Sequence, residues 1–248
     1  MTVTAIKTHK IVAGEKLFDI LDKYIPSLEE NNVVAISSKV VGICEGRLIK
    51  IESKEQKDEL AKQESEFYLP REFNQYGFMI TINNAVMVAS AGIDESNANG
   101  YYSLLPKDPQ KSANTIREYL SKKHHCKHVG VILTDSKLTP LRTGVTGYSL
   151  SHSGFEALIN YIDKPDIFGR LMHAEKENVA DSLATAATAV TGEGNEQQPI
   201  ALITDVPFVK FQARNPTNEE VHNLKIKMED DVYASILSRV DWQKGGKK

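Results

Sequence analysis

Apolar positions along the chain follow two periods. Val33-Val-Ala-Ile36, Val129-Gly-Val-Ile-Leu133 and Ile200-Ala-Leu-Ile203 are short continuous apolar runs rich in β-branched residues, the pattern of buried strands. Residues 1–11 alternate enough to predict a first strand, which Ala13-Gly14 breaks. Phe78–Ile82 and Ala85–Ala89 predict a hairpin turning across Asn83-Asn84. Leu17, Ile20, Leu21 and Tyr24 recur at helical spacing, so a helix is expected over 15–25. Residues 54–69 are charged and helical in composition. Leu105-Pro-Lys-Asp-Pro109 is a rigid turn, and Ser112 is expected to cap a helix carrying Ile116 and Leu120. Residues 148–162 predict a strand followed by a turn or helix. Ala180–Val190 is the best helix by propensity, with Gly192 placed to stop it. No internal repeat and no low-complexity linker marks a domain boundary.

One run ends in chemistry. Val129–Leu133 gives way abruptly to Thr134-Asp135-Ser136, which predicts a buried strand whose end emerges into a loop. Strand ends are where α/β proteins often hold ligands, although Asp and Ser are equally ordinary turn residues. Two other acidic loops follow structured segments: Asp94 after the hairpin, and Glu193 with Glu196 after the alanine-rich helix. Brought together, these acids form an all-oxygen set that suits Mg²⁺ or Mn²⁺ rather than zinc or copper. Such an ion usually holds phosphate oxygens of a nucleotide as well. Gly92, Gly144, Gly192 and Gly194 would let backbone N–H groups approach a phosphate. Taken singly, each acid reads as a solvated turn residue.

Composition narrows the class without choosing within it. The chain has 248 residues, 41% hydrophobic and 25% charged, with net charge -3, so neither a nucleic-acid nor a membrane partner is expected. Cys44 and Cys126 stand far apart in unrelated contexts, which fits a reducing, cytoplasmic setting. Lys244-Gly-Gly-Lys-Lys248 reads as a short disordered tail. Neither G-x-x-x-x-G-K-[ST], G-x-G-x-x-G nor G-x-S-x-G occurs, which disfavours P-loop, Rossmann and α/β-hydrolase enzymes. His124-His125-Cys126-Lys127-His128 is dense in potential zinc ligands. Adjacent residues rarely supply a tetrahedral set, however, and basic residues suit a helix C-terminus equally well.

Five motifs occur in order: Glu45-Gly46-Arg47; Ala91-Gly-Ile-Asp-Glu-Ser-Asn97; Leu105-Pro-Lys-Asp-Pro109; Thr134-Asp135-Ser136 with Arg142-x-Gly144; and Ala180-Asp-Ser-Leu-Ala-x-Ala186 with Gly192-Glu-Gly194. Together they resemble the coenzyme F420-0:L-glutamate ligase family over roughly residues 5–205. The resemblance implies a two-domain α+β fold with a mixed sheet, residues 1–243 forming one unit of intertwined subdomains ahead of a 244–248 tail, and a homodimer. It implies GTP- and divalent-metal-dependent addition of L-glutamate to a small-molecule carboxylate through an acyl phosphate. By motif, Asp94, Asp135 and Glu193 correspond to metal ligands. Asn97, Ser136, Lys10, Ile11, Gly192, Gly194 and Glu196 correspond to the nucleotide's surroundings. Arg142 is the candidate for pairing with a phosphate or carboxylate, since its planar fork suits both. Arg47 has the same chemistry, but reads equally as a surface ion pair. Tyr101, Tyr102 and Phe168 are candidates for an acceptor pocket or for core filling.

The chain departs from the family pattern twice. Ile43 stands where a lysine is expected, and Leu138-Thr139 where Gly-Arg is expected. Losing one buried charge-assisted contact costs about 1.5–3 kcal/mol, enough to change ligand preference. Two further readings therefore stay open: the same ligation on another acceptor such as a folate, and a nucleotide- or metal-binding homologue without catalysis.

Overall fold

The three continuous apolar runs become the middle of one sheet. The computed structural model describes residues 1–247. In chain order its elements are β1 (Thr2–Ile6), α1 (Leu17–Tyr24), β2 (Asn32–Ser37), α2 (Ser38–Cys44), β3 (Leu48–Lys50), α3 (Lys54–Glu64), β4 (Phe67–Leu69), β5 (Ile80–Asn83), β6 (Val86–Ala89), β7 (Tyr101–Ser103), α4 (Pro109–His124), β8 (Val129–Leu138), β9 (Val145–Ser153), β10 (Leu158–Asn160), β11 (Lys176–Asn178), α5 (Val179–Thr191), β12 (Ile200–Thr204), α6 (Asn218–His222), α7 (Ala234–Leu237) and β13 (Gln243–Lys244). The principal sheet has the order β1-β12-β2-β8-β9. Only β2 and β8 run parallel, and the other neighbours are antiparallel. Helices and mixed sheets together make the architecture α+β, as the resemblance implied.

Both faces of that sheet are covered, which is why its central strands carry unbroken apolar runs. One face packs Val34, Ile36, Val131 and Leu133 against Ile20 and Leu21 of α1 and Ile116 and Leu120 of α4. The other packs Val33, Ala35, Ile132, Ala201 and Ile203 against Ala180, Leu183 and Ala187 of α5. Each fully buried Leu, Ile or Val contributes about 1.5–3 kcal/mol. A second group of strands, ordered β13-β4-β5-β6, sits over a separate small core of Ala61, Met79, Ala91, Ile93, Tyr102 and Leu104. No helix among the described residues is long and apolar enough to cross a membrane.

Several expectations move. The first strand stops at Ile6, where its partner β12 begins, and residues beyond it leave the sheet. The hairpin turns one residue later than expected: Asn84 and Ala85 both have positive φ (53° and 59°), as a type I′ connection requires. Asp108, not Ser112, caps α4, accepting the Lys111 N–H at 3.0 Å with Pro109 at the first helical position. The charged helix ends at Glu64, and residues 67–69 are strand. Residues 148–162 hold the end of β9, a bend at Gly154 and then β10, with no helix, and α2 has no periodic signal. The expected disordered tail is not one through Lys247. Gln243 and Lys244 pair with Tyr68 and Phe67, and Gly245, Gly246 and Lys247 donate their N–H groups to Glu66, Lys62 and Ser65 carbonyls. Lys248 lies outside the described residues.

Candidate active site

β2 and β8 lie parallel with Ser37 beside Thr134, so both strands release polar residues at the same end of the sheet. A cleft of about 730 Å³ opens there. Its walls come from residues 8–12, Ser37 and Lys39 at the start of α2, Asp94 and Asn97, Thr134–Ser136, and residues 191–199. Asp94, Asp135, Glu193, Asn97, Ser136, Lys10, Ile11, Gly192, Gly194 and Glu196 all line it, as does Ile43.

Asp135 is the most constrained of the acids. Its Oδ2 is buried and has no hydrogen-bond partner, although part of the residue faces the cleft. Burial pushes its carboxyl up to about 7, and the nearby Glu193 and Asp94 charges add to this, against a hydrogen bond from the Ser136 N–H and the Lys39 charge. Burial also raises Glu193, which the Ser136 hydroxyl partly counters. Tyr148 lies directly across the β8–β9 pair from Asp135. Its hydroxyl is likewise buried without a partner, and burial followed by the Asp135 charge lifts the phenol above its ordinary range.

Asp94 is delivered by a different device. Ser90, Ala91 and Gly92 are consecutive positive-φ residues (47°, 57°, 79°). For the two non-glycines this costs about 1–3 kcal/mol each, so the surroundings must impose it. They do: Ser90 N–H donates to the Met79 carbonyl at 2.8 Å, Ala91 N–H to Thr81 Oγ1 at 2.8 Å, and Asn83 Nδ2 to the Ala91 carbonyl at 3.0 Å. Thr81 and Asn83 are themselves buried. Beyond the turn, Asp94 pairs its backbone with Ser103. Its carboxylate closes on Lys39, with Nζ to Oδ2 at 2.5 Å, and accepts the Ser96 N–H and hydroxyl. Burial opposes ionisation of Asp94, but Lys39 and Ser96 together hold its carboxyl below the ordinary range.

The glycine loop is built around Glu196. Gly192 has φ 78°, and a Cβ there would meet the Glu196 carboxyl carbon at 2.5 Å. Glycine therefore lets Glu196 fold back and accept the Gly194 N–H at 2.9 Å. Asn97 Nδ2 donates to the Gly194 carbonyl at 2.9 Å, tying the Asp94 loop to this one. Thr8 N–H donates to the Gln197 carbonyl at 2.8 Å, which brings the 8–12 loop alongside.

Other expected residues go elsewhere. β8 does not end at Asp135; it continues through Leu138 into a hairpin with β9. The three extra residues carry the chain about 10 Å further, so Arg142 sits on an exposed tip and does not line the cleft. Arg47 forms a partly buried ion pair with Glu64 at 2.6 Å and donates to the Leu105 carbonyl, a structural role. Tyr102 is core, Tyr101 and Phe168 are exposed, and none of the three lines the cleft. In the His-rich stretch, His125 is the left-handed cap of α4, Cys126 is buried and His128 pairs with Glu30. Lys39 is a further cleft residue, outside those the motifs single out. Its signal was the parallel pattern: Ser37-Ser38-Lys39 leaves one apolar run as Thr134-Asp135-Ser136 leaves the other.

The donor set bears on a metal ion in two ways. The chemistry fits a hard cation: three carboxylates from separate segments, one with a buried oxygen left unmet. Yet among the described residues no three His, Cys, Asp or Glu are arranged to hold an ion together. Asp94 is instead closed on the Lys39 ammonium, which stands where a cation would sit.

Comparison with known proteins gives a consistent picture. A family model for F420-0:gamma-glutamyl ligases matches residues 5–205. The chain is 32% identical to a coenzyme F420:L-glutamate ligase of Methanococcus maripaludis over 94% of its own length and 97% of the relative's. It is 32% identical to the Methanocaldococcus jannaschii enzyme of that name, over 78% and 85% of the two chains. The Archaeoglobus fulgidus enzyme is 27% identical over 92% and 94%.

Proposed function

The chain belongs to the F420-0:gamma-glutamyl ligase family and is thus an acid–amino-acid ligase; from that premise we propose that it joins L-glutamate to a small-molecule carboxylate such as coenzyme F420-0, using GTP and Mn²⁺ or Mg²⁺. The observation that carries the reading is Asp135: one of its carboxylate oxygens is buried without a partner, and the residue lines one cleft together with Glu193, Asp94 and the glycine loop.

A carboxylate does not condense with an amine at neutral pH. Transfer of the GTP γ-phosphoryl group to the acceptor carboxylate breaks the β–γ bridging bond, releases GDP and gives an acyl phosphate. The glutamate amine then attacks the acyl carbon, loses its proton and expels phosphate as the amide forms. Asp94, Asp135 and Glu193 would hold the divalent ion, which supplies charge neutralisation on the phosphate oxygens. The Gly194 N–H, released by Glu196, is a donor suited to a phosphate oxygen. Lys39, which lines the same cleft, would supply a cation for a phosphate oxygen and offset the lysine replaced by Ile43. No enzyme nucleophile is required.

Ile43 makes part of the cleft wall apolar, and this motivates a second reading within the same chemistry: ligation to another acceptor, such as a folate. Leu138, Leu141 and Val145 are exposed around the Arg142 tip. In the homodimer that we also propose, this tip would reach a partner, and sedimentation equilibrium tests it. The function itself is tested by titrating GTP, then ATP, with and without Mn²⁺, against wild type and Asp135→Ala, followed by mass analysis of F420-0 and folate after incubation with glutamate. Metal-dependent GTP binding lost in the variant, with one glutamate mass added to F420-0, is the expected result. Absence of any nucleotide binding would sink the reading in favour of a homologue without catalysis.

A further inference from the structure

Lys244–Lys248 carries the composition of a disordered tail, yet through Lys247 the segment is laid into the molecule with tight tolerances. A Cβ on Gly245 would lie 1.9 Å from the Ser65 carbonyl oxygen, so only glycine permits the approach that seats the strand. This seating points the next side chain inward: Lys247 Nζ donates to Asn83 Oδ1 at 2.5 Å. Asn83 is 2% exposed, and its other amide atom donates to the Ala91 carbonyl. Ala91 is the middle residue of the positive-φ turn that presents Asp94. Two consecutive hydrogen bonds thus join Lys247 through Asn83 to Ala91, in the loop that carries one of the three acids.

An asparagine buried beside a strained turn has two ways to point its amide. The turn needs a donor toward the Ala91 carbonyl. A cation on the opposite side fixes that choice, because an ammonium can only donate and so demands the amide oxygen. Nothing else on the described residues contacts Asn83 Oδ1 by hydrogen bond. Lys247 also lies beyond residues 5–205, the part matched by the family model.

We propose that Lys247 is a positioning residue for the ligase site: through Asn83 it locks the Ser90–Gly92 turn and so fixes Asp94 for ion binding. The proposal rests on the reading of Asp94 as an ion ligand, and the test separates the two. Amide hydrogen exchange of residues 90–94 is measured on the ion-free full chain, and Mn²⁺ affinity by calorimetry, for wild type, Lys247→Met, Lys247→Arg and Asn83→Asp. Lys247→Met keeps the stem and removes the charge. It is expected to speed exchange in the turn and weaken Mn²⁺ about tenfold, with Lys247→Arg recovering most of both. Asn83→Asp keeps a partner for Lys247 but removes the donor to Ala91, so it reports the same link if Lys247→Met folds poorly. Unchanged exchange in both variants overturns the lock. Faster exchange with wild-type Mn²⁺ affinity overturns the positioning role. Wild type that binds no Mn²⁺ brings down the ion reading instead, and the exchange data then decide the lock alone.

Discussion

Asp94 and Asp135 face one cleft by opposite means. Asp94 follows an unfavourable backbone conformation, and the buried polar groups of Thr81 and Asn83 around that turn are hydrogen-bonded. Asp135 lies on extended strand just past a register shift at Leu133–Thr134, but the buried Asp135 Oδ2 and Tyr148 hydroxyl are unmet. One region stores its cost in φ angles and offsets it within the fold. The other stores it in electrostatics, which a bound proton or an added cation would relieve. A turn must be held before a ligand arrives, whereas an unmet carboxylate gains its stabilisation when the ligand does. Four predictions probe that contrast.

The largest effect belongs to Asp135→Asn. It should weaken Mn²⁺ by about 100-fold, in line with the loss of a charged contact, and abolish ligation. The same change should stabilise the ion-free protein at alkaline pH. The folded carboxyl is raised from 3.8 to about 7. Between those values the folded protein keeps a proton that the unfolded chain has released, so stability falls as pH rises and the full penalty is present above 7. That penalty is on the order of 3–5 kcal/mol. Thermal melts should therefore show a larger gain for the variant at pH 8 than at pH 5, and equal gains would contradict the burial account.

The same group predicts a second behaviour. Ion binding requires Asp135 ionised, so wild-type Mn²⁺ affinity should climb about tenfold per pH unit up to about 7 and level off above it. A profile flat from pH 5.5 to 8 would remove Asp135 from the ion's ligands. On the other side of the cleft, Thr81→Val leaves the Ala91 N–H and the Val88 carbonyl without their partner. It should cost about 1–3 kcal/mol, and the loss should be the same at pH 5 and pH 8 because no titrating group is involved. A pH-dependent loss would mean that the two regions are not separable.

How much of this was legible followed from which interactions are local. The apolar runs at 33–36, 129–133 and 200–203 declared a buried sheet, because burial on both faces leaves no polar alternation. The acids and glycines at 94, 135 and 192–196 were legible as a cleft through the order of their motifs. Arg142 falls outside the cleft, and nothing in 129–138 signals that the strand outlasts its apolar run; the continuation is imposed by pairing with the next strand, β9. The Asp94 turn was illegible for the same reason. Ser90 and Ala91 carry no positive-φ signature, and of the residues that force them there Thr81 reads as an ordinary strand position and Asn83 as a turn residue. Gly245-Gly246 carried the composition of a tail, and only the neighbouring Ser65 carbonyl gives those glycines a purpose.

The smallest prediction tests whether the electrostatic cost around Asp135 is shared. Tyr148 is 1% exposed, and its hydroxyl has no partner, although the facing strand holds Asp135 opposite it. An unmet buried hydroxyl is a net cost, so Tyr148→Phe should raise ion-free stability by up to about 1 kcal/mol. When an ion draws Asp135 toward the cleft, the hydroxyl becomes the group best placed to orient the carboxylate from behind, as outer partners do for ligating carboxylates. Mn²⁺ affinity should then fall about threefold in the variant, opposite in sign to the stability change. Calorimetry and thermal melts on the one protein read both. If the variant loses stability instead, the hydroxyl already bonds Asp135 without the ion. The Asp135 region would then be as internally satisfied as the Asp94 turn, and the contrast between the two acids would rest on backbone strain alone.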